Sequence, residues 1–428
     1  MNGREAVRSW LEGTKARGMA LGLENTQRAL AALRLSPPNY ETVHVAGSNG
    51  KGTTVATLCV ALSLANVPNL CFTSPHLVRV EERIRINGVP VSPERMDEAL
   101  ARVRAVDRDG AFQLTFFEAT FLSALVIASE ANVRVVVLET GLGGRLDATR
   151  VVPADLAVLT AIALEHTEIL GSTLPEIARE KAAIARPGRP LIVRASVDEG
   201  VREVIEETAN TAGEPLLAEV TAPAPVTWVQ PEPDATAAME AEALARQAWL
   251  HLNATQDTPF PGFSGVQWPA RMHRIDSSSH PRMTYLLDGA HNPSGMVKSI
   301  AEVETVLSAQ HEPWGLLLGA SPQQDMAAFL APLLTLMRRH PPDAVVVTVP
   351  QGGRYTGVEG HVLAEGLQKA GVDVTAVHAT PEHAVAWFEE GHAPVTTVLS
   401  IGSLYMQGNV LQALGRDDDE TLSIRAKV

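Results

Sequence analysis

The stretch Gly47-Ser48-Asn49-Gly50-Lys51-Gly52-Thr53-Thr54 carries the residue types of a phosphate cradle. A β-branched apolar run at residues 42–46 precedes it, and a helical pattern at 55–64 follows. In that order, backbone N–H groups of the turn and of the helix start point at phosphate oxygens, and the helix dipole favours negative charge there. Lys51 can reach the β- and γ-phosphates, and a hydroxyl from Thr53 or Thr54 can sit on Mg²⁺. The competing reading is a glycine-rich turn with a surface lysine. The ordered succession of strand, glycines, lysine, hydroxyl and helix argues for the cradle. The loop departs from the G-x-x-x-x-G-K-[ST] pattern, because Gly52 separates Lys51 from the first hydroxyl.

A second chemical signal is Glu139, which ends the apolar run 133–139 and precedes Thr140-Gly141-Leu142-Gly143-Gly144-Arg145. An acid released at the carboxyl end of a buried strand suits a Mg²⁺ site beside a phosphate loop, since open α/β sheets bind ligands at that edge. Ser74-Pro75-His76-Leu77 and Glu165-His166-Thr167 also follow apolar runs. Serine and histidine can reach a metal directly or through its water, although a lone histidine is more often structural. Lys181 lies in a helical pattern at 174–185 beside Glu180 and, taken alone, reads as a solvated helix lysine.

The elements that must position these residues alternate between strand and helix, which predicts an α/β fold with a mostly parallel sheet. Strands are expected at 42–46, 133–139, 156–162 and 191–194, with helices at 93–106 and 115–129. Residues 218–234 read as an irregular excursion, 235–252 as a helix and 255–279 as loop. A second α/β pattern follows, with strands at 283–287, 315–318, 344–349 and 396–400. The domain boundary is expected near 269–282, and the charged tail at 415–428 is expected to fray.

Composition sets outer limits. A chain of 428 residues predicts two domains or more. A net charge of −14 argues against a nucleic-acid partner. The two cysteines, Cys59 and Cys71, cannot build a disulfide framework and fit a reducing cytoplasm. The first 13 residues lack the apolar core of a signal peptide, and no uncharged apolar run reaches the ~18 residues of a membrane span.

The glycine-rich loop resembles that of the Mur-ligase superfamily, and within it the folylpolyglutamate synthase and dihydrofolate synthase family. The resemblance extends over nearly the whole chain. It is carried by Thr73-Ser74-Pro75-His76-Leu77 with Glu82-Arg83-Ile84-Arg85, Thr115-Phe116-Phe117-Glu118, Leu138 to Thr149, His166-Thr167, Leu170-Gly171-Ser172-Thr173 and Glu180-Lys181-Ala182. In the second half it is carried by Pro269-Ala270-Arg271, Asp288-Gly289-Ala290-His291-Asn292-Pro293-Ser294-Gly295 and Gly402-Ser403-Leu404-Tyr405.

That resemblance implies an N-terminal P-loop ATPase domain over 1–270, a linker at 271–282, and a smaller Rossmann-like α/β domain over 283–428. It implies an ATP-dependent ligase that joins L-glutamate to dihydropteroate, to reduced folates, or to both, through an acyl phosphate. Ser48, Asn49, Gly50, Lys51, Gly52, Thr53 and Thr54 would hold the ATP phosphates. Ser74, Glu139 and His166 would coordinate Mg²⁺ with Thr53, and a second monovalent or divalent cation fits the same pattern. Lys181 would be carbamylated. Arg271 and Asp288 would contact the nucleotide, with His291 as a catalytic companion. Gly18, Met19, Ala20 and Leu21, Thr115, Phe116, Phe117 and Glu118, and Leu146, Asp147 and Ala148 would line the pterin or folate pocket. The family habit is a cytoplasmic monomer.

Several positions depart from the family pattern. Glu165 stands where many members carry Asp before the His-Thr pair. Residues 239–244 offer only glutamates where an Asn usually contacts nucleotide. Residues 319–325 lack the usual Lys, and Ala20 replaces an acid found in some bifunctional members. Two other functions compete. A cell-wall Mur ligase usually carries a whole domain before the phosphate loop, whereas here the loop begins at Gly47. A non-catalytic nucleotide-binding regulator explains Lys51, Glu139 and His166, but not Lys181, Arg271 or residues 288–295.

Overall fold

The computed structural model describes residues 3–19, 21–213, 221–277, 279–310, 312–353 and 356–427. The chain divides into two compact units. The first comprises Met1–His76, Val80–Val266 and Ile424–Val428, and the second Leu77–Arg79 and Gln267–Ser423.

Among the described residues, the first unit is built on an eight-stranded sheet. Its strands are β1 (Glu41–Ala46), β2 (Asn69–Phe72), β3 (Ile84–Ile86), β4 (Val89–Pro90), β5 (Val135–Glu139), β6 (Leu156–Leu159), β7 (Leu191–Arg194) and β8 (Val226–Val229). They run in the order β4-β3-β2-β5-β1-β6-β7-β8. The six strands from β2 to β8 are parallel, and β3 and β4 turn back antiparallel at the edge. Strands covered on both faces read as continuous apolar runs, which is why Val135 to Leu138 lack alternation. One face packs on Leu100, Phe121, Leu125, Ala178, Ile184 and Ile205, and helices Lys51–Leu64 and Ala237–Trp249 cover the other. Helix Lys51–Leu64 is buried from Thr54 to Leu62 and shows no polar stripe, as expected of a helix enclosed on all sides.

The second unit carries a six-stranded sheet among the described residues. From edge to edge its strands are His273–Asp276, Thr284–Leu287, Thr397–Ile401, Trp314–Leu318, Ala344–Val347 and Ala376–Val377. Only the first of them runs antiparallel to its neighbour. Both units are therefore mixed α/β layers around mostly parallel sheets.

Three expectations are corrected. The stretch 218–234 contains β8, an edge strand whose Val226-Thr227-Trp228-Val229 is short and flanked by prolines that mask it. The loop expected at 255–279 contains strand His273–Asp276, which alternates buried and exposed residues. Its charged outward side chains obscured the period of two. The tail does not fray. Asp418 caps helix Asp419–Leu422 by accepting from Thr421 N at 2.9 Å. Ile424 is buried and groups with the first unit, where its N–H donates to Gly88 O at 2.8 Å. Apolar Leu422 and Ile424 hold the segment in spite of its charge.

Candidate active site

Three strand ends build the centre of the site. Strand β1 stops at Ala46, and Gly47 turns away with φ 145°. A side chain at Gly47 is excluded, because its Cβ would lie 1.9 Å from Thr160 Oγ1. Thr160 follows β6, donates its N–H to Ala46 O at 2.9 Å and its hydroxyl to Asn49 O at 2.8 Å. Ser48 completes the tether: its N–H donates to Ala161 O at 2.7 Å, and its hydroxyl both donates to Ala163 O and accepts from Ala163 N at 3.0 Å. The loop is thus fastened along one side to residues 160–163, and Ser48 is occupied with that fastening.

Gly50 adopts φ 88° and caps the helix, which begins at Lys51, four residues before the apolar pattern suggested. Lys51, Gly52, Thr53 and Thr54 therefore occupy the first turn, where unpaired N–H groups attract anions. The two hydroxyls separate. Thr54 is buried and donates to Gly50 O at 2.9 Å, whereas Thr53 is half-exposed. Thr53 is the hydroxyl available to a metal. Lys51 Nζ lies over its own loop, 2.8 Å from Gly47 O and 3.1 Å from Ser48 O.

Glu139 ends β5 directly beside this loop, since Val45 and Glu139 are register partners and Thr140 N donates to Val45 O at 2.9 Å. Its carboxylate is buried, and Oε2 accepts from Ser74 N at 2.9 Å. Ser74 and Glu139 are thereby brought together through the Ser74 backbone. Among the described residues no three His, Cys, Asp or Glu side chains form a ready-made metal cage. Mg²⁺ held by one carboxylate, hydroxyls, waters and phosphates needs no such cage, so the donor set fits a hard cation. His166 sits in a left-handed turn with φ 46° and exposes 42% of its side chain. Burial, aided by Lys181 and Lys51, lowers its pKa against the opposing pull of Glu165 and Glu168.

Lys181 overturns the solvated reading. It is only 1% exposed, and its Nζ donates to Glu165 Oε1 at 2.7 Å and to Gly47 O at 3.0 Å. Burial lowers the Lys181 pKa, and Glu165 works against that shift. Burial pushes the Glu165 pKa up, but the charges of Lys181 and Lys51 outweigh it and the net direction is down. The sequence offered no signal for this pairing beyond the unusual identity of Glu165.

The expected pterin-pocket residues separate into scaffold and surface. Thr115 and Glu118 form a capping box on helix Phe116–Glu130, and Glu118 Oε1 also accepts from Thr26 Oγ1 at 2.6 Å. Asp147 is buried. Oδ2 accepts from Gly141 N and Leu142 N at 2.9 and 2.8 Å, and Oδ1 accepts from Thr149 N and Oγ1 at 3.0 and 2.5 Å. It shapes the glycine loop after Glu139, and burial, its largest influence, raises its pKa. Ala148 is buried, Leu146 half-buried, and Phe117 packs edge-on against Phe72. Phe116 stays half-exposed, with Lys15 Nζ and the Arg83 guanidinium at 5.1 and 5.0 Å from its ring centre. Arg17 donates to Leu114 O at 2.6 Å, and the nearby Gly18 and Leu21 are exposed. Met19 is half-exposed in the same segment, and Ala20 lies outside the described residues.

In the second unit, Arg271, Asp288 and His291 gather around one turn. Asp288 is buried and accepts from Met272 N, Ala290 N and Ser299 Oγ at 3.1, 2.9 and 2.6 Å. Arg271 Nη1 donates to Ala270 O at 3.0 Å, and His291 Nδ1 meets Gly289 O at 2.8 Å. The carbonyl acceptor makes Nδ1 the protonated nitrogen of that ring.

No protein-family model matches the chain. It is 33% identical over 414 residues to a probable bifunctional folylpolyglutamate synthase/dihydropteroate synthase of Halobacterium salinarum, covering 90% of this chain and 48% of that protein. The chain thus spans about half the length of that relative. It is 32% identical over 325 residues to a dihydrofolate synthase/folylpolyglutamate synthase of Bacillus subtilis, covering 68% of this chain and 74% of that one. A crystal structure of a bifunctional folylpolyglutamate synthase/dihydrofolate synthase of Yersinia pestis, complexed with AMPPNP and Mn, superposes with a TM-score of 0.74 at 28% identity, over 96% of this chain and 98% of that one. With the phosphate loop, Glu139 and the Asp288–Gly295 segment in place, the chain belongs to the dihydrofolate synthase/folylpolyglutamate synthase family.

Proposed function

We propose that the chain is an ATP-dependent amide ligase, which adds L-glutamate to dihydropteroate, to reduced folates, or to both. The carrying observation is the register pairing of Val45 with Glu139, which sets a buried carboxylate one strand from a loop whose next helix opens with Lys51. A carboxylate does not condense with an amine at neutral pH unaided. ATP phosphorylates the acceptor carboxylate and leaves ADP; the glutamate amine then attacks the acyl phosphate carbon and loses a proton, and inorganic phosphate departs as its C–O bond breaks. The loop N–H groups and Lys51 bind the phosphates and offset repulsion between two anionic reactants. Glu139, Ser74, Thr53 and His166 would hold Mg²⁺, which would supply charge neutralisation on the transferring phosphoryl group. The half-exposed Phe116, with Lys15 and Arg83 on its ring, supports acceptor binding. Arg271, Asp288 and His291 are assigned to the nucleotide and the transfer step. The relatives named above are called folylpolyglutamate or dihydrofolate synthases, and one of them binds an ATP analogue with Mn, which supports ATP with a divalent ion here. The working form is a cytoplasmic monomer.

The test is ADP release with Mg²⁺ under four conditions: no acceptor, glutamate alone, glutamate with dihydropteroate, and glutamate with tetrahydrofolate. ADP is expected only when glutamate accompanies a pteroate or folate. Equal turnover without acceptors favours a nucleotide-binding regulator and removes the ligase.

A further inference from the structure

Two residues that carry a Cβ adopt left-handed backbone on either side of Arg271: Ala270 has φ 57° and Met272 φ 43°. Residues 268–271 form a turn, closed by Arg271 N donating to Trp268 O at 3.1 Å, with Pro269 second and Ala270 third. Glycine is the ordinary choice at a third position with positive φ, because a Cβ is strained there. Such strain persists only where neighbours over-determine the backbone. Here Gly289 N donates to Ala270 O at 2.9 Å, and Met272 N donates to Asp288 Oδ2 at 3.1 Å. Asp288 is buried, and its Oδ1 accepts from Ala290 N at 2.9 Å and from Ser299 Oγ at 2.6 Å. Ser299 stands on helix Pro293–Gln310, so a rigid element holds the carboxylate that holds the turn. Arg271 runs close against Gly289, where a Cβ would collide with Arg271 Nη1.

We propose that Ser299 is a positioning residue for nucleotide binding. Through Asp288 it holds the strained turn from Ala270 to Met272, and so fixes the direction from which the Arg271 guanidinium meets the nucleotide phosphates. A guanidinium is a planar fork, and its paired hydrogen bonds to phosphate depend on the angle of approach. A turn built of glycines would reach this shape without strain, but it would reach others as well. Ala270 and Met272 narrow the turn to one shape, and the bonds from Asp288 and Gly289 hold that shape before any ligand arrives. The inference rests on the assignment of Arg271 to the nucleotide in the function proposed above.

Titration of the full chain with AMPPNP and Mg²⁺ tests it without any acceptor substrate, so failure of the ligase reading leaves the result interpretable. Arg271→Ala is expected to bind about tenfold more weakly. Ser299→Ala is expected to bind about fivefold more weakly, the effect of one hydrogen bond. In the Arg271→Ala background, Ser299→Ala should bring no further loss, because a residue that acts through another is not additive with it. The same loss in both backgrounds marks a merely structural serine and overturns the proposal. Affinity equal to that of the unsubstituted protein in either single variant also overturns it. A further variant reads the strain directly: Ala270→Gly combined with Met272→Gly. Weaker AMPPNP binding at an unchanged or higher melting temperature supports the proposal, since the strain is relieved while the single shape is lost. Binding as tight as that of the unsubstituted protein shows that the strained turn does not position Arg271, and overturns it.

Discussion

Val45 and Glu139 face each other across adjacent parallel strands, so the chain that turns into the phosphate loop and the chain that ends in the acid leave the sheet side by side. Lys51 and Glu139 are thereby set within one edge of one sheet, although 88 positions separate them in the chain. Glu139→Gln keeps the size of the side chain and its bond from Ser74 N, and removes the charge. The expected result is a 10²–10³-fold lower kcat, the cost typical of losing one charge-stabilising contact, with little change in melting temperature. Mg²⁺ titration of the rate checks it, and a variant with unaltered Mg²⁺ dependence takes Glu139 out of the metal site.

Gly47→Ala is expected to lose nucleotide binding and to unfold more easily. The new methyl meets Thr160 Oγ1 at 1.9 Å, and φ 145° is strained for any residue with a Cβ. Strain of this kind costs about 1–3 kcal/mol. Denaturant unfolding and ATP titration measure both effects. Adding Thr160→Ala removes the clash but not the strained φ, so only part of the stability should return.

Acid should weaken the fold through His44. This residue is buried, its Nε2 lies 2.7 Å from Thr149 Oγ1, and burial, aided by Arg186 and Arg150, holds its pKa well below 6.5. The folded state therefore resists a proton that the unfolded chain accepts. Stability is full above about pH 6.5 and falls as pH drops below that value, because the unfolded state binds more protons. His44→Gln should flatten this slope between about pH 6.5 and 5. An unchanged slope in the variant means that other groups cause the acid loss.

Phe116→Ala should raise the KM for the pteroate or folate acceptor several-fold and leave the KM for ATP unaltered. The substitution removes the ring on which Lys15 and Arg83 rest, contacts of about 0.5–1 kcal/mol each. A change confined to the ATP KM would place Phe116 with the nucleotide instead.

Replacing Glu118 with Ala should cost about 1–2 kcal/mol, through loss of the capping box and of the Thr26 contact. If the thermal midpoint stays the same while acceptor binding collapses, Glu118 contacts substrate and is not mainly scaffold.

By itself the sequence determined the local signals. The β-branched runs at β1, β5 and β7 fixed strands, because such side chains pack well on a pleated surface buried on both sides. The order glycine, lysine and hydroxyl after β1 marked the phosphate loop, since only backbone N–H groups near a helix start make that cradle. Strand His273–Asp276 and β8 stayed hidden, because edge strands with polar outer faces carry little apolar signal. Tertiary structure alone decided what each candidate side chain does. Thr53 and Thr54 are adjacent in the chain, and only helix packing turned Thr54 inward to Gly50 O. The fold also surrounds the oxygens of Asp147 and Glu118 with backbone and hydroxyl donors that the sequence did not show. Lys181 read as a solvent-facing cation, and its burial against Glu165 and Gly47 depends on three elements meeting. Residue type and spacing report what a side chain is able to do. Partners distant in sequence determine which of those options remains, because a buried polar group must satisfy the neighbours that the fold brings to it.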